Sequence, residues 1–276
     1  MVTGRPHNPA SPSATPLPIQ AIRRALADGD IQPYFQPKVE MASGRVVAAE
    51  AFARWHHREH GLLAPSTFIP VLEQHGDMES LTWHVIERSI AACRAWQDHG
   101  LQLSVSINLS PTALAVEGLA ERILADTTRH GLESRHVGFE ITELMAMTDS
   151  QVCLENLARL RMKGFGLSVD DYGTAHSNLQ QLLRIPFLDL KIDRSFVAGA
   201  AANMQMHAAL ASCLELARKL RRSSVAVGVE SREDWALLRE LGCTYAQGWF
   251  IAAPMEAPAL PAWSAQWSQF FRTALN

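Results

Sequence analysis

From Ser168 to Val197 the chain reads SVDDYGTAHSNLQQLLRIPFLDLKIDRSFV. An apolar run ends in two adjacent carboxylates, Asp170 and Asp171, before a turn that carries Gly173. A short helical segment, Asn178 to Leu183, leads to a second apolar run, Phe187 to Ile192, with Lys191 near its end. Strand, acidic turn, helix, strand and charged tip is the grammar of a parallel βαβ unit. It is also the grammar of an α/β barrel with its chemistry on one rim.

Working outward, the same alternation recurs. Gln32 to Val39 and Val46 to Trp55 read as strands around the Ser43-Gly44 turn, which makes the first strand antiparallel to the second. Leu103 to Leu109, His136 to Ile141, Gly166 to Asp170, Val225 to Val229 and Tyr245 to Ile251 are further short apolar runs. Helical patterns fill the intervals: Ser66 to Gln74, Glu79 to His99, Thr112 to His130, Gln151 to Lys163, Ser195 to Arg221 and Arg232 to Leu241. Eight strands with helices between them predict an α/β fold, a (β/α)8 TIM-like barrel whose first strand is antiparallel. The expected organisation is a flexible Pro/Ser-rich leader at 1–18, a barrel at 19–262 and a helical tail at 263–276 that packs on the barrel.

In such barrels functional side chains lie at the C-terminal ends of strands. Read in order, those ends are Glu50, Asn108, Glu140, Asp170 with Asp171, Lys191 and Gln247. A set of carboxylates and carboxamides without His or Cys favours hard cations such as Mg2+ or Mn2+ over Zn2+. Several acids at one rim repel one another unless cations lie between them, and adjacent acids can bridge a metal pair for displacement at phosphorus. Each residue alone also has a plainer reading: a solvated tip, turn chemistry at Asp170-Asp171, a surface ion pair at Lys191. Their shared topological position is what distinguishes the functional reading.

Other features narrow the class. With 25 basic and 28 acidic residues the net charge is −3, so no global field draws the chain to a nucleic-acid polymer. The four cysteines, Cys93, Cys153, Cys213 and Cys243, lack metal-ligand spacing and fit a reducing cytoplasm. No apolar run approaches the roughly 20 residues needed to span a bilayer. The histidines of His56-His57-Arg58-Glu59-His60 fall past a strand and read as a surface loop, and the glycines form no dinucleotide-binding fingerprint.

These motifs resemble the EAL domain family, bacterial phosphodiesterases and receptors for cyclic di-GMP. The resemblance covers roughly Ile19 to Met255. Tyr34-Phe35-Gln36-Pro37 resembles the family's opening strand, and Glu50-Ala51-Phe52-Ala53-Arg54-Trp55 its EALxRW signature, with Phe52 for Leu. Ile107 to Ser110, Phe139 to Glu143 and Leu190 to Asp193 are close matches. Asp170 to Leu179 resembles DDFGTGYSSL, and Gln247-Gly248-Trp249 the closing QGY. The resemblance implies metal ligation by Glu50, Asn108, Glu140, Asp170 and Asp171 in a two-metal site, and Lys191 orienting the attacking water. It implies substrate contacts from Gln36, Arg54, Asp193 and Gln247, and a loop anchor at Glu143. A homodimer and an upstream sensory or receiver domain or partner protein are further implications.

Departures from the pattern open a second expectation. The family's AEGVE reads Ala226-Val227-Gly228-Val229-Glu230, so Val227 replaces a glutamate that supports metal-associated water. Ala175 and His176 replace Gly and Tyr in the loop after the acid pair, where a missing glycine adds roughly 1 kcal/mol of strain if φ is positive. The first expectation is a phosphodiesterase opening cyclic di-GMP to linear pGpG, with impaired turnover. The alternative is a barrel that binds cyclic di-GMP, turns it over weakly or not at all, and signals.

Overall fold

Ten residues from Ile31 to Glu40 form strand β1, and the chain then returns antiparallel through β2 (Val46–His57). After β3 (Gly61–Leu63) come β4 (Ser104–Asn108), β5 (Val137–Thr142), β6 (Gly166–Tyr172), β7 (Asp189–Ile192), β8 (Ser223–Val227) and β9 (Tyr245–Gln247). Neighbours run in the order β1-β9-β8-β7-β6-β5-β4-β2-β3, and β1 also pairs with β2, which closes a ring of eight. β1 is antiparallel to both β2 and β9; the other ring pairings are parallel. The computed structural model describes residues 17–174 and 179–275. The expectations placed on residues 1–16 and on Ala175 and His176 lie outside the described residues.

The closed barrel with an inverted first strand is the architecture the alternation predicted. Its parallel strands read as near-continuous apolar runs because each is covered on both faces, by the barrel interior and by the surrounding helices. Phe35, on the outer face of β1, meets Trp96 edge-on with ring centroids 4.8 Å apart, and Trp96 Nε1 donates to the Ala257 carbonyl at 2.9 Å. Phe139 and Phe165 make a similar contact at 5.6 Å beneath β5 and β6. The first pair fixes the helix Met78–Asp98 to the outside of the sheet, and the second packs the segment leading into β6 against β5.

Several boundaries differ from expectation, each for a local reason. β2 runs through His56 and His57 and folds back as β3, so those two histidines belong to a hairpin strand and only residues 58–60 form its turn. The helix expected from Thr112 to His130 is two, Pro111–Leu114 and Leu119–Arg129, separated by Gly118 at φ 75°. The helix expected from Ser195 to Arg221 is also two, Arg194–Val197 and Met204–Lys219, the second capped by Asn203. β9 stops at Gln247, because Gly248 lies against the Val229 backbone and a side chain there would meet the Val229 oxygen at 2.2 Å.

The final helix, Leu260–Phe270, continues as a wider turn through Leu275. Trp267 is buried, stands 5.9 Å from Trp235, and donates from Nε1 to the Gly44 carbonyl at 2.8 Å. Gly44 has φ 69°, and a Cβ there would enter the Phe271 ring at 2.2 Å. The β1–β2 turn and the C-terminal segment therefore stabilise each other. Trp267→Ala is expected to lower the unfolding free energy by about 3–5 kcal/mol, measured by urea denaturation; a loss below about 1 kcal/mol would show the segment to be loosely held.

Candidate active site

The inward face of the barrel repeats every second residue along each strand. At the end where the parallel strands finish, that repeat brings Gln36 of β1, Glu50 of β2, Glu140 of β5, Asp170 of β6, Lys191 of β7 and Gln247 of β9 to one place. Lys191 Nζ donates to Glu50 Oε2 and Asp170 Oδ2, each at 2.8 Å, and to Glu140 Oε2. Lys191 is 1% exposed, Glu50 3% and Glu140 2%. The surface ion pair that Lys191 could have made is thus replaced by a buried ammonium inside three carboxylates.

The surroundings orient each acid. Glu50 Oε1 accepts from Asn108 Nδ2 at 2.8 Å, and Glu50 Oε2 accepts from Gln247 Nε2 at 2.8 Å. Gln247 also reaches Gln36 Oε1 at 3.1 Å, and Gln36 Nε2 donates to the Ala252 carbonyl at 2.9 Å. β6 gains one residue over β7 between Val169 and Tyr172, a bulge centred on the acid pair. Asp170 Oδ1 accepts from the Asp171 amide at 2.9 Å, and Asp171 takes φ 55°, a left-handed conformation that short polar residues tolerate. The bulge lets consecutive acids lie at one rim instead of on opposite faces. Gly173 follows at φ 99°, and its amide donates to Glu143 Oε2 at 2.9 Å, which ties the loop to the start of the helix Glu143–Ala146.

Electrostatics follow from this crowding. Burial drives the Glu50 carboxyl upward, but the Lys191 charge and hydrogen bonds from Lys191, Asn108 and Gln247 outweigh it and hold Glu50 below the usual glutamate range. Burial and the neighbouring Glu50 charge push Glu140 up to about 8. Burial, then Asp170, push Asp171 up to about 6. Burial pulls Lys191 down, yet Asp170, Glu140 and Glu50 together hold it well above the ordinary lysine value. Four carboxyl groups, Glu50, Glu140, Asp170 and Asp171, thus face one ammonium, which leaves more acid than one cation can balance.

That excess fits divalent cations. One oxygen each from Glu50, Glu140 and Asp170 can be chosen so that all lie within 4.8 Å of one another, and the donors are hard oxygens. Asn108 and Asp171 stand at the edge of the same group. The remaining residues singled out from the sequence lie around it. Arg54, half-buried, has its Nη1 on the Ala53 carbonyl at 2.9 Å and is not drawn into the acid group. Asp193 Oδ1 accepts from the Ser195 amide at 2.9 Å and caps the helix Arg194–Val197. Val227 pairs with Gln247 in the β8–β9 register and shares the face of Val225, the partner of Lys191, so an apolar side chain stands at the mouth there.

Sequence reasoning missed two features. Tyr34 at the start of β1 donates to Glu256 Oε1 at 2.9 Å and lies 3.4 Å from His56 Nε2, a rim contact joining three distant segments. Burial, then Glu256, push the Tyr34 hydroxyl up to about 12. The β6 bulge was also missed. Its signal was present in the doubled acid followed by Gly173, which turn chemistry alone could equally explain.

Comparison with known proteins gives consistent results. The family model described as EAL domain matches residues 19–254. The cyclic di-GMP phosphodiesterase RocR of Pseudomonas aeruginosa is 38% identical over 232 residues, 84% of this chain and 59% of RocR. The bifunctional diguanylate cyclase/cyclic di-GMP phosphodiesterase MucR of the same organism is 35% identical over 242 residues, 87% of this chain and 35% of MucR. The solved PaMucR phosphodiesterase in complex with c-di-GMP superposes with a TM-score of 0.83 at 34% identity, covering 88% of this chain and 98% of that one. The chain therefore spans less than two thirds of RocR and about a third of MucR.

The charge crowding has a consequence for stability. Raised from 4.5 to about 8, Glu140 keeps a proton in the folded, metal-free protein that it loses in the unfolded chain. Where the folded state holds more protons, stability falls as pH rises, so the cluster's contribution declines between about pH 5 and pH 8; Asp171 acts in the same sense up to about 6. Thermal unfolding in EDTA is expected to show this decline, flattened in Glu140→Gln. The same pH slope in both proteins would contradict it.

Proposed function

The chain belongs to the EAL domain family, and on that premise we propose that it hydrolyses cyclic di-GMP to linear pGpG with a pair of Mg2+ or Mn2+ ions at its acid group. The observation that carries the reading is the buried ring of Glu50, Glu140 and Asp170 around Lys191 Nζ, with Asp171 placed beside it by the bulge. Glu50, Asn108, Glu140, Asp170 and Asp171 would hold the cations, which when bound polarise the phosphoryl oxygens and acidify water.

The chain's own groups do the remainder. Lys191 Nζ, once turned from the acids, donates hydrogen bonds to the attacking oxygen and to a non-bridging phosphate oxygen, steadying the charge that grows there. Asp171, set beside the acid ring by the bulge, is the carboxylate assigned to accept the proton leaving the nucleophile. Arg54 at the rim supplies a planar cation for the phosphate, and Gln36 and Gln247 bind the substrate and fix Glu50. As the new P–O bond forms, the P–O3′ bond breaks and the leaving oxygen takes a proton, leaving a 5′-phosphate on pGpG.

Val227 supports a second reading, a receptor that binds cyclic di-GMP with little turnover, because valine neither holds a water nor accepts its proton. The first reading is preferred because the acid ring and Lys191 are intact. In either case we propose a barrel domain at 19–262 with a C-terminal tail, a homodimer through the loop that Glu143 anchors, and a cytoplasmic location. Among the described residues no helix is long and apolar enough to cross a membrane. An upstream sensory or receiver module or partner protein belongs to the same proposal.

Chromatographic detection of pGpG is the test. Product is expected with Mn2+ and none with EDTA, and Val227→Glu is expected to raise kcat by about 10-fold or more. Cyclic di-GMP bound without product over long incubation would transfer the assignment to the receptor reading. Arg54→Ala is expected to raise KM far more than it lowers kcat; an unchanged KM would remove Arg54 from the substrate contacts.

A further inference from the structure

The acid ring has a second polar layer beneath it. One step of two residues toward the opposite end of the barrel leads from Lys191 to Asp189, from Asp170 to Ser168 and from Glu140 to Gly138. On the antiparallel β1 the same step leads from Gln36 to Lys38. Barrel interiors are usually filled at this depth by bulky branched side chains. Here the layer contains a glycine, a serine and an ion pair, and a cavity of about 270 Å³ opens among them. The layer beneath Lys191 is therefore largely polar.

The backbone ladder supplies no compensation at the height of the site. β6 and β7 pair regularly at Ser168–Asp189 and Val169–Leu190, then slip, and meet again only at Tyr172–Ile192. Ser168–Asp189 is thus the lower of the two regular pairs below the bulge, and side chains tie it. Ser168 Oγ donates to Asp189 Oδ2 at 3.4 Å, and Lys38 Nζ contacts the same oxygen at 3.0 Å. Lys38 is 7% exposed, with its ammonium 5.4 Å from the centre of the Tyr245 ring on β9. One carboxylate oxygen joins β1, β6 and β7 directly below the three groups that must meet above.

We propose that Asp189 is a positioning residue: it pins β7 against β6 below the bulge and so sets the height at which Lys191 meets Asp170. Asp189 touches neither substrate nor cation in this account. The kinetic part of the proposal rests on the phosphodiesterase reading; the structural and binding parts do not.

Asp189→Asn keeps the shape and removes the charge that holds Lys38. In a crystal structure of this metal-free variant, Lys191 Nζ is expected to have left Asp170 Oδ2. Calorimetry is expected to show Mn2+ binding weakened about 10- to 100-fold, the scale typical of groups that orient metal ligands. With turnover measurable, kcat at saturating Mn2+ falls while KM for cyclic di-GMP stays within about twofold, and Asp189→Glu restores both Mn2+ affinity and kcat. If Asp189→Asn does not fold, Ser168→Ala, which cuts only the tie between β6 and β7, is carried through the same measurements with smaller shifts in the same direction. An unmoved Lys191, or a Tm that falls with Mn2+ affinity unchanged, overturns the proposal and leaves a plain stabilising ion pair. A wild-type protein with no turnover and no Mn2+ affinity counts against the phosphodiesterase reading, and the position of Lys191 in the variant crystal still decides the pin.

Discussion

Everything at the mouth of the barrel depends on one buried ammonium. Lys191 is the cation inside a ring of three carboxyl groups, of which Glu50 and Glu140 are almost wholly removed from water and Asp170 largely so. Like charges at such separations in a protein interior repel by several kcal/mol, and breaking a buried pair by deleting one partner costs about 3–5 kcal/mol. The acids can be held together without metal because Lys191 lies among them and Glu140 retains a proton. The same crowding makes the site receptive to divalent cations, whose charge relieves what one lysine leaves uncompensated.

The fold exists to hold that crowding at one depth. A closed ring gives every strand two neighbours, so no edge can slip by one residue and turn an acid outward. Glu50 is held by carboxamides from two other strands, and Asp170 and Asp171 share a rim because β6 carries an extra residue. The layer below trades apolar packing for the Lys38–Asp189 ion pair. Against this, Val227 is out of keeping: an apolar group beside Gln247 at the mouth of an otherwise acidic site. It leaves the acid ring in place and bears on how water is handled.

Much of this was legible before any coordinates. Asn108, Glu140, Asp170, Lys191 and Gln247 stand at or near strand ends, and the alternation of short apolar runs with helical periods made those ends one rim. Glu50 reaches the same rim from mid-way along β2, which runs on into the β3 hairpin. What remained hidden depends on contacts between distant segments. That Lys191 sits inside the acids rather than on the surface follows from barrel closure, which brings β2, β5, β6 and β7 together. The pairing of Lys38 with Asp189 joins residues 151 apart in sequence, and no local pattern marks it. The split helices at Gly118 and Asn203 were missed because the Ala-containing breaks at 115–118 and 198–203 read on as helix, and the hairpin through His56 and His57 because its polar residues read as loop. The β6 bulge left a trace in Asp170-Asp171, but one shared with ordinary turns.

The most direct measurement is anomalous diffraction from a crystal grown with Mn2+ and cyclic di-GMP. Manganese peaks within ligand distance of Glu50, Asn108, Glu140, Asp170 and Asp171, with Lys191 Nζ turned from the acids toward a phosphate of the nucleotide, are the predicted result. A Lys191 that stays bound by Glu50, Glu140 and Asp170, with no manganese at the acid ring, would contradict it.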